Sequence, residues 1–213
     1  MKLLRQLGIL LFLVPSMNLF ASADVSRTWD FSVSLDGKPI GYHRFDLVED
    51  GERLEVRSEA SFDVRFLVFT AFQYRHTNVE RWDGECLSSI ESSTRQNKKS
   101  FLVSGEQVGD RFRVETNREA DTLRDCVMSF AYWNPEFLEQ TQLLNPQDGR
   151  YLAVEVEAIG SQPIVVRGEE VQATAYRLKA HKMELTVWYS DDDEWLGLES
   201  VAKGGRLIRY ELT

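Results

Sequence analysis

A regular alternation of apolar and polar residues, cut at short intervals by turn dipeptides, constrains this chain more than any other feature of its sequence. Trp29, Phe31, Val33 and Leu35 alternate with Asp30, Ser32 and Ser34, and Asp36-Gly37 then turns the chain into Ile40 to Glu49. A strand points successive side chains to opposite faces, so a run of this kind buries one face and wets the other. Further turn signals follow at Asp50-Gly51, Asp83-Gly84, Gln96 to Lys99, Gly109-Asp110, Asp148-Gly149, Asp191 to Glu194 and Gly204-Gly205. Their spacing predicts about a dozen strands in a single antiparallel meander. So long a sheet must curl into an open or closed barrel, or fold into two layers, to bury one face. The expected class is all-β, an open or half barrel.

Two segments depart from this pattern. From Leu54 to His76 the even positions are mostly apolar and the odd ones polar, until Leu67, Phe69 and Ala71 make the odd face apolar as well. The chain is hydrophobic on both sides from Phe66 to Phe72, which fits either a strand crossover or short segment covered on both faces, or an apolar lip that touches a lipid or a partner. The second departure runs from Cys126 into Asn134-Pro135. Asn134 suits an N-cap and Pro135 the first helical position, predicting one short helix near residues 135–142, ended by Leu143-Leu144-Asn145-Pro146. A lone helix in such a chain plugs an open end or a concave face, with Tyr132, Trp133, Phe137 and Leu138 as its apolar side.

Residues 1–23 read as a secretory signal peptide: Lys2 and Arg5 precede the apolar stretch Leu7 to Val14, and Ala21-Ser22-Ala23 offers small residues for cleavage before Asp24. Pro15, Ser16 and Asn18 interrupt the run short of a membrane span, so no transmembrane segment is expected after cleavage. Residues 24–213 are then a single β-rich domain, exported to the periplasm. Cys86 and Cys126 both fall in it, and an oxidising compartment favours a disulfide between them over two buried thiols. The net charge of −9, larger still without Lys2 and Arg5, repels phosphate backbones and excludes nucleic acid as a partner class.

Little of the residue chemistry points to catalysis. His43, His76 and His181 fall on different predicted strands at spacings that match no metal signature, and neither cysteine has a C-x-x-C partner. The nucleophile elbow, the P-loop and the dinucleotide-binding glycine motif are missing from the sequence. No catalytic residue, metal or cofactor is expected. The acidic run Asp191 to Glu194 reads as a solvated hairpin turn. Aromatic side chains are the remaining resource; core formation accounts for most of them, and some are expected to line a concave pocket, since curled antiparallel sheets bind apolar ligands in their mouths. The candidate ligand-binding residues are Phe66, Phe69, Phe72, Tyr132, Trp133 and Trp188.

Several local motifs carry a resemblance. The strand pair Gly37-x-x-x-Gly41-Tyr42-His43, the segment WDGECL from Trp82 to Leu87, SFAYWNP from Ser129 to Pro135, LLNPQDG from Leu143 to Gly149, and the closing V-W-Y and Y-x-L strands resemble an uncharacterised domain-of-unknown-function family of exported bacterial β-proteins. The similarity spans essentially all of residues 24–213 and is most specific from YWNP to LLN. More distantly the chain is similar to periplasmic half-barrel β-proteins. The resemblance implies a Gram-negative envelope location and one β-domain, and it carries over no catalytic residue. The expected function is a non-catalytic binding module for an apolar or lipid-like ligand. An envelope interaction or scaffold protein is the alternative, and an envelope hydrolase built from carboxylates or histidines on distant strands is a third.

Overall fold

A computed structural model describes residues 25–213 except Glu52, Leu67, Val68, Asp125 and Lys203. The expected signal peptide lies outside the described residues. The chain forms the strands β1 (Val25–Leu35), β2 (Lys38–Asp50), β3 (Arg53–Phe66), β4 (Phe69–Asp83), β5 (Cys86–Gln96), β6 (Lys99–Val108), β7 (Arg111–Thr116) and β8 (Ala120–Leu123). After a connecting segment come β9 (Gln142–Leu144), β10 (Tyr151–Ala153), β11 (Glu155–Val166), β12 (Glu169–Ala180), β13 (Met183–Tyr189), β14 (Trp195–Ala202) and β15 (Arg206–Leu212). All but β9 and β10, which pair with each other, join one antiparallel sheet of 13 strands in the order β11-β12-β13-β14-β15-β1-β2-β3-β4-β5-β6-β7-β8. The sheet is open, with β11 and β8 at its edges.

The meander expected from the sequence is thus present in two runs, β1 to β8 and β11 to β15, sewn together where β1 pairs with β15. Phe31 lies opposite Leu212 and Leu35 opposite Ile208. The backbone N–H and the hydroxyl of Thr213 both donate to the Asp30 carbonyl, each at 2.9 Å. At the β1–β2 turn, Asp36 and Gly37 have φ of 51° and 74°, the paired positive values that let a two-residue hairpin follow the strand twist. His181 also has a positive φ, 53°, and sits in the β12–β13 turn rather than on a strand as expected.

The doubly apolar segment from Phe66 to Phe72 is divided between two strands: β3 ends at Phe66, β4 starts at Phe69, and the two residues pair. No glycine or asparagine marks this turn, so the alternation from Leu54 to His76 reads in sequence as one strand when it is two.

Residues between β8 and β11 return the chain from one edge of the sheet to the other, and they do so across its inner face. This strap is fastened first by the Cys86–Cys126 disulfide and by the Leu87 N–H donating to the Val127 carbonyl at 2.9 Å. Trp133 then meets Trp82 of β4 edge to face with ring centroids 5.4 Å apart, and Tyr132 packs on Trp195 of β14 at 5.4 Å. The Tyr189 hydroxyl donates to the Tyr132 carbonyl at 2.6 Å, and Ser92 of β5 donates to the carbonyl of Pro146. Within the strap the expected helix is a single 3-10 turn, Pro135–Glu139, with Asn134 accepting from the Glu136 N–H as its N-cap. It stops before residue 142 because Gln142–Leu144 extends to pair with Tyr151–Ala153, and Val154 N–H donates to Thr141. The buried core of Trp29, Phe31, Trp82, Phe112, Phe137 and Trp195 lies between sheet and strap.

Candidate functional site

Register places a small polar field on the inner face of β3, β4 and β5. Ser58 lies opposite Asn78, which lies opposite Ser92; one step along, Ala60 lies opposite His76, which lies opposite Thr94. Period-two alternation carries His76, Asn78 and Glu80 of β4 inward together. Ser58, His76, Asn78, Glu80, Ser92, Thr94 and Ser129 are the buried polar side chains among the described residues. The first six are this field, and Ser129 approaches Glu80 from the strap. Elsewhere the interior is apolar, so these groups mark one wall of it.

That wall borders a cavity of about 240 Å³ between sheet and strap. His43, Phe62, Tyr74, His76, Asn78 and Glu80 line it from the β1–β8 run. Met183, Leu185, Leu198 and Tyr210 close it from the β11–β15 run, and Phe130 to Trp133 with Asn145 to Gln147 roof it. The half-exposed Phe72, Met183, Ser200 and Ile208 mark its opening toward solvent.

Burial disfavours the charged form of every ionisable group in this wall. Burial pushes the His76 imidazole down to about 4, and its Nδ1 lies 2.8 Å from the Thr94 hydroxyl. His43 reaches over the small Ala60 to bring its ring centroid 6.3 Å from that of His76. Burial, with His76 beside it, holds His43 well below the ordinary imidazole value. Both ring nitrogens of His43 are buried without a hydrogen-bond partner. Burial raises the Glu80 carboxyl, which is only 3% exposed, against the opposing pull of Asn78, Ser129 and Trp82. Asn78 donates to Glu80 Oε1 at 3.1 Å and leaves its own Oδ1 unpartnered. The phenols of Tyr74, Tyr132 and Tyr210 are all raised by burial and stay protonated. Unpartnered buried polar atoms cost free energy unless something meets them, which is why they point to an occupant.

Of the residues expected to bind a ligand, Phe72, Tyr132 and Trp133 come together around this cavity. Trp188 lies elsewhere: on β13 it alternates with the inward Leu185, Val187 and Tyr189, and it stands opposite Gly197. Ile164 of β11 folds over Gly197 so closely that a Cβ there would meet its Cδ1 at 2.6 Å. Phe66 and Phe69 fall at the β3–β4 tip, and their side chains are outside what the structure describes. Sequence reasoning weighed His43 and His76 only for metal or acid-base work, and it missed Asn78 and Glu80. Polar residues at alternate inward positions of β4, between Phe72 and Trp82, were the available signal. Among the described residues no cluster of three or more histidine, cysteine or acidic side chains could hold a metal ion. The Asp191 to Glu194 run is a turn closed by Ser190 N–H donating to the Glu194 carbonyl, with Asp191, Asp192 and Asp193 exposed.

Comparison with known proteins adds family and fold. Residues 31–213 match the model of a family described as Domain of unknown function (DUF6134). No curated protein matches the chain. Among solved structures it is similar to a β-barrel-like protein of Domain of Unknown Function DUF1849 from Brucella abortus, at 10% identity and a TM-score of 0.64, over 87% of this chain and 94% of that one. At that identity the likeness is one of fold.

Proposed function

The chain belongs to the DUF6134 family, a domain of unknown function, and from that premise we propose that it is an exported, non-catalytic binding module that holds a small apolar ligand, or the end of a larger one, in its inner cavity. The observation that carries this reading is the concentration of buried polar side chains on one wall of an otherwise apolar cavity, with both His43 ring nitrogens and Asn78 Oδ1 left unpartnered. Ligand sites have this composition: mostly hydrophobic walls with a few polar groups that fix orientation. The volume of about 240 Å³ exceeds the roughly 150 Å³ of an apolar cavity that takes up benzene. Export rests on the leader-like residues 1–23 and on a disulfide that persists in an oxidising compartment.

Residues 24–213, purified gently and weighed by native mass spectrometry, should carry a bound small molecule or take up toluene saturably. Ser200→Trp sets a large ring at the half-exposed mouth and should lower toluene uptake at least tenfold with an unchanged melting temperature. A wild-type protein that binds neither, or a variant that binds equally well, would sink the reading.

A further inference from the structure

We infer that the inner cavity selects ligands whose polar end is a neutral alcohol, and that it rejects carboxylates, phosphates and ammonium groups. This inference rests on the proposed binding role and specifies its chemistry. Three observations carry it. First, among the described residues no lysine or arginine lines the cavity; its ionisable side chains are His43, His76, Glu80, Tyr74, Tyr132 and Tyr210. An anionic head buried there would have no countercharge, and an unpaired buried ion is far more costly than an unpaired neutral group.

Second, the unpartnered atoms call for both halves of a hydrogen bond. A neutral imidazole has one N–H donor and one lone-pair acceptor, and both nitrogens of His43 are unmet. Asn78 Oδ1 is an unmet acceptor on a side chain only 7% exposed. A hydroxyl donates once and accepts twice, so it can serve a donor and an acceptor of this wall together. An ammonium group only donates, and a carboxylate only accepts.

Third, the single carboxyl in the wall is not poised as a counterion. Glu80 is fully enclosed, and its oxygens are already engaged: it takes the Asn78 amide as a donor and faces Ser129 and Trp82, while burial disfavours its charged form. An ammonium ligand would have to be desolvated against a carboxylate that is itself buried, a cost the attraction between the two ions often fails to offset. The groups that face Glu80 offer hydrogen bonds and no second charge.

The test titrates residues 24–213 at pH 7.5 with 1-octanol, octanoate, octylamine and toluene, read by calorimetry and by the fluorescence of Trp133 and its neighbours. 1-Octanol should bind at least tenfold more tightly than octanoate or octylamine. His43→Phe keeps a ring against Phe45 and removes both nitrogens; it should weaken 1-octanol about tenfold and leave toluene within twofold. Asn78→Leu serves the same purpose if the first variant does not fold. Octanoate or octylamine binding as tightly as 1-octanol overturns the inference while saturable toluene binding leaves the cavity's role standing. Equal losses of 1-octanol and toluene in the folded variants also overturn it. If none of the four binds the wild type, the binding role itself has failed and the inference falls with it.

Discussion

His76 shows how far a single residue can be moved from its usual chemistry by where a strand puts it. Enclosed between Ala60 and Thr94 on the sheet, it is held at about 4 instead of near 6.5. The unfolded chain therefore takes up a proton first as pH falls, so the full stability is present above about 6.5 and declines toward pH 4, by on the order of 3 kcal/mol for this one group. His43 is depressed as well and adds to the same slope. Glu80 has the opposite sign: its raised carboxyl favours the fold at low pH and loses that contribution as pH rises through the folded value. Urea denaturation at pH 5 and pH 7 should show the wild type weaker at pH 5, and His76→Phe should reduce the difference. An unchanged difference in that variant would remove His76 as its source. None of this was legible in the sequence beyond the presence of the residues. Alternation tells that His76, Asn78 and Glu80 share a face, but which face is covered depends on a strap that arrives from far along the chain.

At the scale of elements, local chemistry was legible and partnership was not. Asp36-Gly37 and Gly204-Gly205 mark real turns because positive φ demands such residues, and Asn134-Pro135 marks a real cap. The β3–β4 turn carries no such residue, since hydrophobic Phe66 and Phe69 flank it. The length of the 3-10 turn was set by the β9–β10 pairing, which periodicity does not report. The strap depends on one covalent fastening: Cys86 and Cys126 are separated by 40 residues. Closing a loop of that size stabilises a fold by at most about 4 kcal/mol through chain entropy. Cys86→Ser with Cys126→Ser should lower unfolding stability by about 2–4 kcal/mol, measured by urea denaturation under non-reducing conditions. Because the strap roofs the cavity, the same variant should also bind toluene more weakly. A doubly substituted protein with undiminished stability would show that the non-covalent contacts, Trp82–Trp133 and Tyr132–Trp195 among them, suffice to anchor the strap.

The whole molecule depends on the seam between β1 and β15. β15 pairs with β14 on one side and β1 on the other, so it is the strand that joins the two runs of the sheet. Removing residues 206–213 should abolish cooperative thermal unfolding rather than shave the stability, since both neighbours lose their central pairing. A truncated chain that still melts in one sharp transition would mean that the β1–β8 run folds by itself. Order along the sequence also becomes order in time. Among the described strands β15 is the last to leave the ribosome, yet it supplies Ile208 and Tyr210 to the cavity and pairs with β1 in the ladder that joins the two runs. Until that strand emerges, the β1–β15 ladder is missing and the cavity lacks Ile208 and Tyr210 from its lining. A site built this way closes only when strands from the two ends of the described chain meet, so its early half waits, cavity open, for its late half.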